Sequence, residues 1–231
     1  MSPSNYPKLD TPPPTDSSEV QQWIQQVQAS GIEIPNIPPT VPGGCPANVN
    51  QASNSSVCWW TCGGCTRESD VTTCPQKYSW GLTYDDGPAP YTPDLLNYLD
   101  QVDLKATFFV VGSRAISFPP LLQKEYLDGH QIGVHTWSHT ALTTQTTEEI
   151  IAELGWTKKV IKDVLGVTPT TMRPPYGDIE SVFFSLNHFS SSGLTGLMVN
   201  STQRPCARHL QGHGPHPDYM DTPLRKRHFR Y

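Results

Sequence analysis

Residues 80–88 read Trp80-Gly-Leu-Thr-Tyr-Asp-Asp-Gly-Pro88, WGLTYDDGP. Five mostly apolar residues, the pattern of a buried strand, run into two adjacent aspartates, a glycine and a proline. Paired carboxylates at such a strand end repel each other and cost free energy to desolvate. Side chains alternate along a strand. Two consecutive aspartates can therefore take different roles only where the strand ends and the chain turns, and Gly87-Pro88 supplies that turn.

Outward from this stretch the chain alternates strands and helices. SWGLTYD, residues 79–85, reads as a buried strand, and TPDLLNYLDQ, 92–101, as a helix with Thr92 as its cap and Pro93 at its first position. KATFFVVG is a second strand, PPLLQKEYLDGH a helix ending at Gly129, and QIGVHTWSH a third strand. In TTEEIIAELGWTKKVIKDVLG, Thr147 is the expected cap, Ile150, Ile151, Leu154, Val160, Ile161, Val164 and Leu165 recur at helical spacing, and Gly166 ends the helix. TTMRPPYGD enters a fourth strand. This repetition implies parallel strands joined by crossovers, in either a doubly wound sheet or a (β/α) barrel. Both folds collect function at the carboxyl ends of their strands. Those ends are Asp85-Asp86, His135 to His139, and Arg173 to Gly177.

The three clusters make a chemical set. His135 and His139 are four apart and can share a metal if the backbone turns helically after the strand. With one aspartate they form a two-histidine, one-carboxylate face, suited to zinc in hydrolysis or iron in oxygen chemistry. The bland alternative is a packed core histidine and a helix cap. The second aspartate stays free to accept a proton from water that the metal acidifies. Arg173 pairs with an aspartate and keeps it ionised, or else forms a surface ion pair of little worth. The stiff turn Pro174-Pro175-Tyr176-Gly177 can present a backbone N–H to an oxyanion. Which aspartate does which is open at this level.

The rest of the chain sets bounds. Its 231 residues allow one sizeable core, yet only 36% are hydrophobic and 23 are proline, ten of them before Ala47. Residues 1–18 read as a Pro/Ser/Thr-rich linker. DSSEVQQWIQQVQASGIEIP follows as one helix, capped by Asp16 or Ser17, striped by Val20, Trp23, Ile24 and Val27 and stopped by Gly31. Up to residue 203 there are 10 Lys/Arg against 19 Asp/Glu, and beyond it 6 against 2. Nucleic-acid binding by the main body is thereby excluded. Five of the six cysteines fall between Cys45 and Cys74, which means disulfides or a four-thiolate zinc site. The sequons at Asn54 and Asn200 favour disulfides in a secreted, glycosylated protein. No stretch reaches the ~20 apolar residues of a membrane span. Residues 1–15 lack the apolar core of a signal peptide, so export would need a signal from outside this sequence. Trp59 and Trp60 either stack on sugar rings or pack against the core.

TYDDGP, HTWSH and RPPYG, in this order, resemble the first three motifs of the NodB-homology polysaccharide deacetylases, carbohydrate esterase family 4. CWWTCGGCTR and LTYDDGPAPYTPDLLNYL most resemble the fungal chitin deacetylases within it. The resemblance covers roughly Asp16 to Ile179. It implies an α/β fold, a distorted, incomplete (β/α) barrel, carrying a Pro-rich extension with a short helix (1–44) and a Cys-rich segment (45–78) on the deacetylase domain (79–180). It implies a divalent metal, Zn²⁺ with Co²⁺ as the alternative, and hydrolysis of N-acetyl groups on chitin or N-acetylglucosamine oligomers by a secreted or cell-wall monomer. Carried over by motif, Asp85 is the general base, Asp86, His135 and His139 are the metal ligands, Arg173 holds Asp85, and the Tyr176 N–H binds the oxyanion. The family's fourth and fifth motifs, the latter with a histidine general acid, are not recognisable. Residues 181–231 form an atypical tail instead, with five of the eight histidines and little periodicity. The tail reads as an intron or shifted frame unable to supply closing strands. The competing expectation is a catalytically inactive glycan-binding protein that keeps the metal site.

Overall fold

The computed structural model describes residues 2–68, 70–74 and 77–182, together with the backbone of 199–200. Its elements run α1 Ser18–Ala29, α2 Gly44–Ala47, α3 Val49–Ala52, α4 Trp60–Gly63, β1 Thr83–Asp85, α5 Thr92–Gln101, β2 Thr107–Val110, α6 Gly112–Ser117, α7 Pro119–Leu127, β3 Gln131–Val134, α8 Thr147–Leu165, β4 Thr171–Met172 and β5 Val199–Asn200. All strand pairs are parallel, in the order β1-β2-β3-β4-β5. Among the described residues this order follows the chain in one direction.

The register sets the strand ends side by side. Asp85 pairs with Phe109, Val110 with Val134, and Val134 with Met172. Every residue of β2 is buried, as expected of a parallel strand covered on both faces. Gly133 lets the strands approach: a Cβ there would lie 2.6 Å from the Phe109 ring.

Several local expectations need correction. The first strand has three residues, not seven, and Trp80 is 69% exposed rather than buried, because residues 79–81 line a cavity beside β1 instead of pairing. Thr92 is the first residue of α5 and not its cap, and its hydroxyl accepts from Ala89 N–H at 2.9 Å. Thr146, not Thr147, caps α8. It forms a capping box in which its hydroxyl accepts from Glu149 N–H and its own N–H donates to the Glu149 carboxylate. Ser17 caps α1, and Gly166 ends α8 with φ +78°. The four-thiolate zinc reading is excluded by two disulfides, Cys45–Cys62 and Cys58–Cys65, and Cys74 is disulfide-bonded as well.

The opening residues are packed, not a free linker. Tyr6 stacks on Trp137 at 6.1 Å, and its hydroxyl donates to Asp163. Lys8 C=O accepts from the Trp137 indole, and Asp10 pairs with Arg114 at 3.0 Å. Trp23 of α1 packs edge-on to Trp156 of α8, over Gly155, where a Cβ would stand 2.2 Å from the Trp23 ring. Aromatic burial on α8 holds this segment down.

The expectation that the tail supplies no strand is corrected, because β5 pairs Val199 and Asn200 with Thr171 and Met172. His188, His209, His213, His216, His228 and Cys206 lie outside the described residues.

Glu125 of α7 is fully buried, and neither carboxylate oxygen has a hydrogen-bond partner among the described residues. It lies under the loop that follows the aspartates: a Cβ on Gly87 would be 3.9 Å from its Oε1. Burial pushes this carboxyl from 4.5 up to about 8. As pH rises from 4.5 to about 8 the unfolded chain releases this proton while the folded chain retains it, so stability falls across that window. Glu125→Gln removes the titration. It is expected to flatten the pH dependence of urea unfolding between pH 5 and 8, and to exceed the parent in stability at pH 8 by on the order of 2–4 kcal/mol. Parallel curves for the two proteins would contradict this.

Candidate functional site

At the end of β1 the backbone changes hand. Asp85 is the last strand residue, and Asp86 has φ +70°, in the left-handed region. That single turn sends the two carboxylates to different partners. Asp85 Oδ1 accepts from Arg173 Nη1 at 2.7 Å, and the same Nη1 donates to Thr83 Oγ1 at 2.9 Å. The guanidinium lies over the Phe109 ring, 4.3 Å from its centroid. The arginine is thus held by an aromatic face and a hydroxyl as well as by the carboxylate, and the surface ion-pair alternative does not describe it.

Asp86 turns to the histidines. Its Oδ1 lies 3.2 Å from His135 Nε2 and 3.0 Å from His139 Nε2. Ligand atoms of the three all fall within 4.8 Å of one another. The two histidines converge without the helical turn expected of their spacing. Left-handed residues at Thr136, φ +64°, and His139, φ +62°, fold the segment back, and His139 N–H donates to Thr136 Oγ1 at 3.1 Å.

The donor set fits a cation. His135 Nδ1 is 2.7 Å from the Arg173 carbonyl oxygen, which can only accept, so Nδ1 carries the proton. Nε2 is then the ring nitrogen that faces Asp86 and is left to bind a cation, as in histidines whose other nitrogen is fixed by a backbone carbonyl for metal binding. Burial, and then the neighbouring His135, hold His139 below the usual histidine range, which favours the neutral ligand form. Lone pairs of three groups thus converge on one point, the arrangement a divalent ion neutralises.

Tyr176, 71% exposed, sets its ring edge-on to His139 at 4.9 Å. A cavity of about 780 Å³ opens over the triad, walled by Trp60, Trp80, Tyr176, Thr72 and Thr73. The two tryptophans of the Cys-rich segment separate here. Trp59 is buried, while Trp60 is at the cavity wall against Gly177.

One supporting residue escaped the sequence reading. Glu153, on the inner face of α8, is fully buried. Its carboxylate accepts from Trp137 N–H at 2.6 Å, Ser138 N–H at 2.9 Å and the Ser138 hydroxyl, so it braces the loop between the histidines. Burial raises its pKa, and these bonds, with one from Gln145, pull it back. The available signal was a charge among apolar positions of a helix, three residues after Ile150.

The polysaccharide deacetylase family model matches residues 72–195, more than half the chain and beyond residue 180. The chain belongs to the polysaccharide deacetylase family. It is 57% identical over 177 residues to chitin deacetylase 1 of Cryptococcus neoformans var. grubii, covering 77% of this chain and 37% of that protein. It is 43% identical over 149 residues to the chitin deacetylase of Amylomyces rouxii, covering 62% and 35%. The chain therefore spans little more than a third of the length of these curated relatives. Among solved structures, the Bc1960 peptidoglycan N-acetylglucosamine deacetylase superposes with a TM-score of 0.51 at 30% identity, covering 57% of this chain and 61% of that one.

Removing the Glu153 carboxylate strands the buried Trp137 N–H and the half-buried Ser138 N–H, at a cost of about 1–3 kcal/mol for the buried group and less for the other. Glu153→Ala is expected to lose on the order of 3 kcal/mol of stability in denaturant titration, and Glu153→Gln, which keeps one acceptor, less than half of that. A loss below about 0.5 kcal/mol for the alanine variant would show that the loop holds itself.

Proposed function

We propose that this polysaccharide deacetylase hydrolyses N-acetyl groups on N-acetylglucosamine units of chitin or a related cell-wall glycan. The observation that carries the reading is the split of the two aspartates, Asp85 to an arginine and Asp86 to two histidine Nε2 atoms, on one rim of a parallel sheet. The homology to chitin deacetylases supports the substrate class.

In this reading Asp86, His135 and His139 hold one divalent cation, with zinc the preferred ion for a two-nitrogen, one-oxygen set and cobalt the alternative. That ion, when bound, supplies Lewis-acid polarisation of the acyl oxygen and lowers the pKa of nearby water. Asp85 is the general base. Its Oδ1 is engaged by Arg173, which leaves Oδ2 to take the proton of a water molecule adding to the acyl carbon. Arg173 keeps that carboxylate ionised and aimed. The Tyr176 N–H stabilises the negative charge growing on the acyl oxygen. Collapse of the tetrahedral centre breaks the carbon–nitrogen bond and gives acetate and a free amine, which must take up one proton. Among the described residues no histidine other than His135 and His139 lines the cavity. We assign reduced turnover to this chain because the family's fifth motif, which carries the histidine general acid, is not recognisable in its sequence.

The disulfides and the exposed Asn54 sequon support a secreted glycoprotein of the cell wall. A monomer, with a Pro-rich extension to residue 44, a Cys-rich segment to 78 and a deacetylase domain to 180, completes the proposal. No helix among the described residues is long and apolar enough to cross a membrane.

Acetate release from a chitin oligomer in the presence of Zn²⁺ is the direct assay. The parent chain should release acetate, and Asp85→Asn should lower the rate by roughly 10²–10⁴-fold without weakening oligomer binding. Binding without release by either protein would replace this reading with the inactive glycan-binding one.

A further inference from the structure

Tyr176 and Gly177 are consecutive left-handed residues, with φ +60° and +67°. A non-glycine residue in that region costs on the order of 1–3 kcal/mol and persists only where its surroundings over-determine it. The next residue, Asp178, supplies that constraint. It is 7% exposed and both carboxylate oxygens are in use. Oδ1 accepts from the Trp59 indole N–H at 2.7 Å and from the Thr61 hydroxyl at 3.0 Å, and Oδ2 accepts from the Thr143 hydroxyl.

Those partners come from two other parts of the rim. Trp59 and Thr61 belong to the segment stapled by Cys45–Cys62 and Cys58–Cys65. Thr143 lies in the loop after His139. The same stapled segment grips the turn by its backbone as well. Trp60 N–H donates to Ile179 C=O at 3.1 Å, and the Thr61 hydroxyl reaches Gly177 C=O at 3.3 Å. The Trp60 ring fills the space over Gly177, where a Cβ would stand 2.6 Å from it.

We infer that Asp178 is a positioning residue for deacetylation, tying the disulfide-stapled segment and the loop after His139 to the turn that presents the Tyr176 N–H. This inference rests on the catalytic reading above. In this role the Cys-rich segment is part of the active-site scaffold, because its Trp59 indole reaches the turn through that one buried carboxylate. A displacement of about 1 Å at an oxyanion donor costs up to ~10²-fold in rate, and it acts on the transition state more than on substrate binding.

The test is steady-state acetate release from a chitin oligomer with Zn²⁺ by the full chain and its Asp178 variants. Asp178→Ala should lower kcat by roughly 10–100-fold with KM changed less than about threefold. Asp178→Asn keeps an acceptor for Trp59 and Thr61 and offers an amide donor to the Thr143 oxygen, so it should retain kcat within about fivefold of the parent. Should Asp178→Ala fail to fold by circular dichroism, Trp59→Phe replaces it. Removal of that one donor is expected to lower kcat about 3–10-fold at unchanged KM. Unchanged kcat in the variant that folds, or an asparagine variant as impaired as the alanine one, would overturn the inference and leave the catalytic reading intact. No acetate release from the parent chain would overturn both.

Discussion

Parallel pairing of short, buried strands is the constraint on which the site depends. The ladder from β1 to β4 sets Asp85, Val134 and Met172 at neighbouring strand ends, so the residues that follow each strand meet on one rim. None of the polar groups there would find its partner otherwise. Arg173 lies 88 residues from Asp85 in sequence, and its carbonyl fixes the tautomer of His135 while its guanidinium holds Asp85. One residue at the end of β4 therefore organises both halves of the chemistry, which makes the β3–β4 pairing as important as the donor set itself.

The site also uses backbone conformations that sheets and helices avoid. Asp86, Thr136, His139 and Tyr176 are all left-handed. Each breaks the alternation or helical continuation that local rules would impose, and Asp86, His139 and Tyr176 line the cavity. Their cost is offset by buried hydrogen bonds behind them, through Glu153 for the histidine loop and Asp178 for the tyrosine turn.

Much of this was readable from the residues. The strand–helix alternation, the long α8 with its Gly166 stop, and the three polar clusters followed from periodicity and turn chemistry. The division of labour between Asp85 and Asp86 was readable only as a necessity, and their assignment came from the family resemblance. What escaped has physical reasons. Strand lengths were overestimated because an apolar run such as WGL can line a cavity as well as pair. The packing of Tyr6 and Lys8 on Trp137 depends on a contact across about 130 residues of sequence, which no local pattern encodes. Glu153 and Asp178 look like ordinary surface charges until burial shows otherwise. The sequons favour disulfides over a thiolate zinc site, but cysteine spacing alone does not fix which cysteines pair.

The central claim is that Asp86, His135 and His139 form one cation site separate from the base Asp85. Calorimetric titration of Zn²⁺ into the full chain and into Asp86→Ala tests it most directly. The account predicts one high-affinity site per parent chain, with affinity at that site lost by at least tenfold in the variant. Equal high-affinity uptake by the two proteins, or none by the parent, would contradict it.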